Sequence, residues 1–284
     1  MNSLSQSKYS AVWVSHSSMG DFLKCPRLYY LHNMYKDPVT RNKMSLVTPH
    51  MSLGIAVHEV LEGLGNYKAE DRLKRDLLKD FEVAWSKVTG IKGGFITPEE
   101  EKEFKERGIT MIRNVIKDPK FLPNKIIKLK RETMNPNFLI DENKNIILNG
   151  LVDWIEYLPE SDSLHIVDFK TGKKEESDSS LQLPIYLLLC NALQKRPVTK
   201  ASYWYLESDK IVEKELPDLE ESKNKVLEVA YKVKEARDKM DFKCPKGPSG
   251  CIHCLPYEKI LRKDSSLKFV GVGGFNQDLY VEIR

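Results

Sequence analysis

The sequence predicts a mixed α/β protein built as one elaborated domain. The chain has 284 residues, of which 41% are apolar and 30% charged, so it can bury a sizeable core. Segments with helical spacing of apolar residues flank a region, residues 125–170, in which short apolar runs are separated by Asn, Asp, Pro and Ser clusters. No internal repeat or low-complexity tract is visible, which excludes solenoids and propellers.

Helices are predicted for most of the N-terminal part. The first has Ser17 or Ser18 as its N-cap and a kink at Pro26, and charged helical stretches follow the second until Asp118-Pro119 ends them. We interpret residues 66–120 as a solvated helical insertion. The two predicted helices are 17–35 and 52–64.

Strands are predicted in the second half, together with two helices. The uncharged stretch 179–194 is too short and too polar to span a bilayer, and it indicates a buried helix. A long charged helix is expected over 219–240. The predicted strands are 126–129, 146–157, 164–170 and 201–206, with a hairpin partner for the last near Ile211-Val212.

The strand 164–170 carries the first candidate site residues. Because side chains alternate along a strand, Asp168 and Lys170 share one face, while Val167 and Phe169 point into the core. Thr171-Gly172 ends the strand and leaves the pair at its terminus. A surface ion pair is the ordinary explanation of such a pattern when it occurs alone.

Three other groups of polar residues strengthen the functional interpretation. Asp153 lies in an otherwise apolar predicted strand, where a buried carboxylate needs a cation. His58 and Glu62 share one helix face at i and i+4 spacing. Gln182 and Tyr186 have the same spacing on the apolar helix, although each of these pairs could simply cap or pack.

In this order the residues resemble the RecB-like branch of the PD-(D/E)XK nuclease superfamily. Its motifs G-x-x-x-H-x-x-L-E, G-x-x-D-x-I, D-x-K-T-G and Q-x-x-x-Y occur at Gly54–Glu62, Gly150–Ile155, Asp168–Gly172 and Gln182–Tyr186. The resemblance covers about residues 15–256 and implies a single nuclease domain over 1–284, with a central mixed sheet flanked by helices.

The same resemblance implies the roles of the site residues. His58, Asp153 and Asp168 would bind Mg²⁺ or Mn²⁺, with Glu62 in support, Lys170 would be the catalytic lysine, and Gln182 and Tyr186 would shape the site. Carboxylates suit hard Mg²⁺, whereas an imidazole ligand favours Mn²⁺. Whether Lys170 orients water, helps to deprotonate it or stabilises phosphoryl charge stays open, as does the choice between one and two metal ions.

Five cysteines form an odd set, which argues against a disulfide framework and leaves metal binding open. Cys244, Cys251 and Cys254 cluster in the segment 241–257, Cys25 is the natural fourth thiolate, and Cys190 lies in the apolar helix as a core residue. In the resembling family such a set holds a [4Fe–4S] cluster. Zn²⁺ bound by the four thiolates, or by three of them with His253, is the alternative. Either metal would have a structural role in joining the two ends of the chain.

Charge and targeting signals complete the prediction. Lys and Arg exceed Asp and Glu by four, and basic residues cluster along 120–131 and 243–263. With Arg27, Tyr29 and Tyr30 they are expected to bind single-stranded DNA. The N-terminus lacks a signal-peptide pattern, so a cytoplasmic location without membrane contact is expected.

We therefore expect a Mg²⁺- or Mn²⁺-dependent deoxyribonuclease. The resemblance implies an exonuclease on single strands or duplex ends, acting in DNA repair, recombination, phage DNA metabolism or CRISPR adaptation. The sequence lacks a G-x-x-x-x-G-K-[ST] motif, so unwinding would require a helicase partner. The alternative is a non-catalytic DNA-binding or scaffold subunit of a helicase–nuclease complex that keeps the fold and the cluster.

Overall fold

The computed structural model describes residues 11–129 and 135–283, and it confirms the predicted mixed α/β class. The helices are α1 (His16–Lys24), α2 (Pro26–Tyr29), α3 (Pro49–Leu64), α4 (Ala69–Arg72), α5 (Leu77–Trp85), α6 (Pro98–Lys117), α7 (Gln182–Leu193), α8 (Leu219–Lys239) and α9 (Leu255–Leu261), with a π-helical turn at Tyr30–Met34 and a 3₁₀ turn at Gly90–Gly93. The strands are β1 (Val12–Val14), β2 (Lys43–Leu46), β3 (Asn137–Asp141), β4 (Ile146–Asn149), β5 (Trp154–Leu158), β6 (Ser163–Lys170), β7 (Val198–Tyr205), β8 (Lys210–Lys214), β9 (Leu267–Gly273) and β10 (Gln277–Glu282).

A four-stranded sheet in the order β5-β6-β7-β8 forms the centre of the fold. The β6–β7 pair is parallel and the other two pairs are antiparallel. Every residue of β6 except Lys170 is buried, because α7 and α8 cover one face of the sheet while α3, α5 and α6 cover the other. A strand covered on both faces is expected to be apolar throughout, so the polar residues within it need hydrogen-bond partners.

The prediction of one long strand over 146–157 is wrong. The structure divides it into β4 and β5, which belong to different sheets. The chain turns at residues 150–153, where a Cβ on Gly150 would lie 2.9 Å from Leu189 Cδ1 of α7. This close approach to α7 accounts for the glycine at the break. The turn places Asp153 immediately before β5 and not within a strand.

The predicted strand 126–129 is also wrong. Ile126 forms one isolated bridge with Glu156, and Ile127 N donates to Ile155 O at 2.9 Å, so this segment follows the edge of β5 without forming a strand. The sequence pattern does not predict the short strands β1, β2, β3, β9 and β10. Together with β4 they form two small sheets, in the orders β1-β4-β3 and β2-β10-β9.

The predicted N-terminal helix is interrupted before Pro26, where only a kink was expected. Cys25 is extended, with φ −169° and ψ 121°, and separates α1 from α2. The N-cap is Ser15 instead of Ser17 or Ser18. Ser15 and Ser18 form a capping box, in which Ser18 N donates to Ser15 Oγ at 3.2 Å and Ser15 N donates to Ser18 Oγ at 2.9 Å.

Helices α3, α5 and α6 build a second core beside the central sheet. α3 starts at Pro49 with Thr48 as N-cap, three residues before the predicted start. The stretch 66–120 was expected to be solvated, but its helices are amphipathic. Their apolar faces bury residues such as Phe81, Trp85 and Met111 against α3 and the sheet. The division of the chain into a nuclease domain with an insertion stays a prediction.

Gly108 on α6 provides a test of this helical core. A Cβ at Gly108 would lie 2.3 Å from Phe81 Cζ, in a site where the Phe81 ring is fully buried and cannot easily move. We expect Gly108→Ala to lower the free energy of unfolding by about 1–3 kcal/mol, despite the better helix propensity of alanine. Denaturant unfolding monitored by circular dichroism measures the effect.

Gly63 on α3 is the matched control, because a Cβ there meets no atom within 4 Å. Gly63→Ala should be neutral or stabilise the protein by up to about 1 kcal/mol. Equal stabilities of the two variants would contradict the close packing of α6 on α5.

Candidate active site and cysteine site

β6 positions Asp168 and Lys170 at the end of the central sheet. The predicted alternation is confirmed: Val167 and Phe169 pack in the core formed with α3, α5 and α6, while Asp168 and Lys170 face α7. Lys170 Nζ lies 2.9 Å from Asp168 Oδ2. Asp168 is 3% exposed, so this is not the surface ion pair that the pattern alone would indicate.

α7 supplies the partners that this buried carboxylate requires. Tyr186 Oη donates to Asp168 Oδ1 at 3.0 Å, and Gln182 Nε2 donates to the same oxygen at 2.9 Å. Gln182 Oε1 in turn accepts from Lys170 Nζ at 2.5 Å. Gln182 and Tyr186 of α7 therefore orient Asp168, and Gln182 also orients Lys170.

Asp153 approaches the same place from the turn before β5. Its Oδ2 accepts from the backbone N–H of Phe169 at 2.9 Å, so the carboxylate lies beside β6. Burial and the neighbouring Asp168 carboxylate raise the pKa of Asp153 to about 8. We expected a cation beside this buried carboxylate. His58 lies in that place, with its Nδ1 3.6 Å from Asp153 Oδ2.

α3 contributes His58 and Glu62 from the opposite side of β6. His58 Nδ1 lies 3.1 Å from Glu62 Oε1, as the i and i+4 spacing predicts. Burial disfavours the imidazolium, but the hydrogen bond to Glu62 and the charges of Asp153, Glu62 and Asp168 outweigh it, and the pKa of His58 rises to about 9. The site therefore attracts positive charge.

These residues fit a divalent cation. Ligand atoms of His58, Glu62 and Asp153 all lie within 4.8 Å of one another, and a cation would relieve the repulsion that raises the pKa of Asp153. Asp168, a predicted ligand, is not part of this group: its oxygens contact Lys170, Gln182 and Tyr186. Glu62, expected only in support, is a member of the group.

One polar residue of the site was not predicted from the sequence. Glu176 Oε2 lies 3.1 Å from Lys170 Nζ. Glu176 belongs to the connection between β6 and α7, and none of the motifs covers it. Its proximity to the lysine follows from how that connection folds back over the sheet, which residue spacing does not reveal.

A cleft of about 710 Å³ opens beside Asp153 and Glu62. Its walls include Asn66 and Lys128, whose side chains are joined by a hydrogen bond of 2.7 Å from Lys128 Nζ to Asn66 Oδ1. This cleft gives the carboxylates access to solvent.

The four predicted cysteines converge on a second site. Sγ atoms of Cys25, Cys244, Cys251 and Cys254 all lie within 4.8 Å of one another, and the group could hold a metal. The sulfurs of Cys251 and Cys254 are 3.7 Å apart. Cys190 is buried in the main core, where burial raises the pKa of its thiol to about 12, so the expected division into four cysteines and one is confirmed.

Backbone N–H groups surround the cysteine sulfurs. Cys251 N donates to Cys254 Sγ at 3.2 Å, and Lys246 N donates to Cys244 Sγ at 3.4 Å. Although burial disfavours a thiolate, hydrogen bonds from backbone groups of Cys254 and His253 outweigh it and lower the pKa of Cys251 to about 7. These donors favour anionic sulfur at Cys251, whereas burial raises the pKa of Cys254 to about 12.

The structure revises the predicted DNA contacts near Cys25. Tyr29 is 1% exposed, so its ring is not available for base stacking and this prediction is wrong. Arg27 Nη1 instead donates to Glu258 Oε1 at 2.7 Å and to Pro248 O at 3.1 Å, which braces the cysteine loop. Tyr30 is half-buried and stacks on Phe242 at 5.1 Å.

The basic clusters are partly neutralised by neighbouring acids. Lys120 pairs with Asp118 and Asp209, Lys259 with Glu282, and Arg262 with Glu258. Lys130 and Arg131 lie outside the described residues. A role of these clusters in DNA binding stays a prediction. Among the described helices, none has the length and apolar character needed to cross a membrane.

Comparison with known proteins gives one family. A model of the PD-(D/E)XK nuclease superfamily matches residues 13–259, a range that contains every residue of both sites. No curated protein matches the chain significantly.

Replacement of Asp153 tests the electrostatics of the site. Because its pKa is raised in the folded state, the metal-free protein loses stability as the pH rises from about 4 towards 8, where the buried carboxyl loses its proton. Asparagine cannot ionise. In buffer with a chelator at pH 8, we therefore expect the free energy of unfolding of Asp153→Asn to exceed that of the wild type by on the order of 1–3 kcal/mol.

The stability difference should shrink on acidification, since wild-type Asp153 is then neutral as well. Asp71→Asn, at an exposed carboxylate, is the control and should change stability by less than about 0.5 kcal/mol. A variant less stable than the wild type at pH 8 would show that the carboxylate is well accommodated without a metal.

Proposed function

Because the chain belongs to the PD-(D/E)XK nuclease superfamily, we propose that it is a metal-dependent DNA nuclease that hydrolyses phosphodiester bonds. The convergence of Asp153, Asp168 and Lys170 at the end of β6 carries this proposal, because two separate motifs meet there in a buried, polar site beside an open cleft. A non-catalytic scaffold would not need to keep all three residues at this end of β6.

The proposed roles follow from the contacts. His58, Glu62 and Asp153 are the proposed ligands of Mg²⁺ or Mn²⁺, with Asp168 beside them, and the bound ion would supply Lewis-acid stabilisation of phosphoryl charge. Lys170 presents its ammonium group at the strand end, where it stabilises negative charge or orients the attacking water. Gln182 and Tyr186 hold Asp168 and Lys170 in place.

The RecB-like motifs support a finer proposal about the substrate. We infer that the enzyme is an exonuclease on single strands or duplex ends, in DNA repair, recombination, phage DNA metabolism or CRISPR adaptation. A partner helicase would supply the unwinding. The support is the resemblance of the four motifs, together with the exposed Lys128 in the wall of the cleft.

Cleavage assays with site variants test this function. Asp168→Asn and Lys170→Met should each lower cleavage of end-labelled DNA in Mg²⁺ or Mn²⁺ by at least about 100-fold while the protein stays folded. Lys232→Met, at an exposed lysine of α8, is the control and should retain activity. Full activity in either site variant would overturn the assignment of the site. Cleavage of circular single strands would show that the enzyme is an endonuclease and not an exonuclease.

The identity of the metal at the cysteine site is a separate proposal. Four thiolates around one Zn²⁺, at about 2.3 Å each, lie about 3.8 Å apart. In a [4Fe–4S] cluster each thiolate ligates a different iron, so the sulfurs are spread more widely. The 3.7 Å separation of Cys251 and Cys254, within a group that spans at most 4.8 Å, fits a single tetrahedral ion.

We therefore propose a structural Zn²⁺ in place of the iron–sulfur cluster that the resemblance implies. Cys25 lies between α1 and α2, and the other three ligands precede α9, so the ion would join segments from the two ends of the chain. The surrounding apolar cluster is small, which makes a metal a substantial part of its stability.

Metal analysis of protein purified without oxygen tests the proposal. We expect about one zinc per chain. Cys25→Ser should lose most of the zinc and unfold at a lower temperature, because a tetrahedral site with three thiolates binds more weakly. Cys190→Ser is the control and should keep its zinc. Iron with acid-labile sulfide in the wild type would establish the cluster instead.

A further inference from the structure

The ammonium group of Lys170 is surrounded by three oxygen acceptors from three different segments. Asp168 Oδ2 of β6 lies at 2.9 Å, Gln182 Oε1 of α7 at 2.5 Å and Glu176 Oε2 at 3.1 Å. The ring of Tyr203 lies beneath it, with its centroid 4.7 Å from Nζ. A lysine has three N–H donors, so each donor has one acceptor.

Glu176 is the acceptor whose position the motifs do not explain. Asp168 and Gln182 lie on regular elements and are hydrogen-bonded to each other, whereas Glu176 lies on the connection between β6 and α7. Its own backbone is nevertheless anchored, since Glu176 N donates to Tyr205 Oη at 2.8 Å. Tyr205 is a buried residue of β7.

The neighbours of Glu176 strengthen this anchor. Glu175 pairs with Lys210 at 2.5 Å and Asp178 pairs with Lys214 at 2.6 Å, both on β8. These two carboxylates point outwards to the edge of the sheet, while the Glu176 side chain points inwards to the lysine. The connection is therefore arranged so that one of its three acids reaches the active site.

Glu176 is also suited to remain charged there. Burial disfavours the carboxylate, but the hydroxyl of Ser180 and the ammonium of Lys170 outweigh this effect and hold the pKa of Glu176 below its usual range. His16, at the start of α1, faces the same group and lies 3.4 Å from Ser180 Oγ.

We propose that Glu176 is a positioning residue for Lys170. By accepting the third N–H, it holds the flexible lysine side chain in the one orientation that directs its charge to the end of β6. This inference rests on the proposed nuclease function. A lysine has four rotatable side-chain bonds, so removal of one of its three fixed contacts spreads the ammonium over several positions.

Steady-state cleavage of single-stranded DNA measures the effect. Glu176→Ala should lower the rate at saturating DNA by about ten-fold or more, with KM changed by less than about two-fold, because the residue orients a catalytic group and is not a binding contact. Glu176→Gln should restore much of the rate, since its amide oxygen can accept the same N–H. Both variants should melt at the temperature of the wild type.

Glu175→Ala is the matched control. It removes an adjacent, exposed carboxylate whose surface ion pair contributes little, so its rate should stay within about two-fold of the wild type. A rate increase in Glu176→Ala, or a fall in KM alone, would overturn the inference and identify Glu176 as a competitor of the DNA phosphate. Unchanged kinetics in both Glu176 variants would also overturn it. An inactive wild type would instead refute the nuclease proposal itself.

Discussion

The central strand β6 has a buried carboxylate on each side, and the helices around it are arranged to satisfy both. Asp153 and Asp168 flank β6 in the interior, where an unpaired charge is strongly unfavourable. Asp168 accepts hydrogen bonds from side chains of α7 and pairs with Lys170. Asp153 accepts from the backbone N–H of Phe169 and lies near His58. Helices on both faces of the sheet therefore serve two purposes: they bury its apolar residues and they supply the polar groups that the carboxylates require.

The two faces of β6 divide these tasks. The face towards α7 carries the lysine and its acceptors, and the face towards α3 is an apolar core that holds Phe169 beneath His58. Because α3 packs against α5 and α6, the helical stretch 66–120 supports the helix that carries His58 and Glu62. The amphipathic helices that looked like a solvated addition are thus part of the structural support of the candidate metal site.

A second group of contacts, around the four clustered cysteines, joins segments from the N- and C-terminal parts of the chain. Cys25 lies at the break between α1 and α2, and the π-helical turn that follows packs against β2. The cysteine loop and α9 lead into β9 and β10, and β10 pairs with β2 in a parallel arrangement. Arg27 and Glu258 connect the same segments by a salt bridge. The four thiolates therefore lie where a metal would hold together three short elements that bury few apolar residues of their own.

Local sequence patterns predicted β6, α7 and β7 from their apolar runs, α8 from a long charged helical stretch, and β8 as a hairpin partner of β7. Helical spacing alone identified the contacts of His58 with Glu62 and of Gln182 with Tyr186. The separation of Cys190 from the other four cysteines followed from its apolar surroundings. The other features depend on contacts between elements distant in sequence. The tertiary structure divided residues 146–157 between two sheets, buried Tyr29, and added β1, β2, β3, β9 and β10, whose short strands are stabilised by distant partners. The fold also brought Glu176 to Lys170 and Asp153 to the pair of His58 and Glu62. Such contacts arise from the packing of separate elements, and no local pattern encodes them.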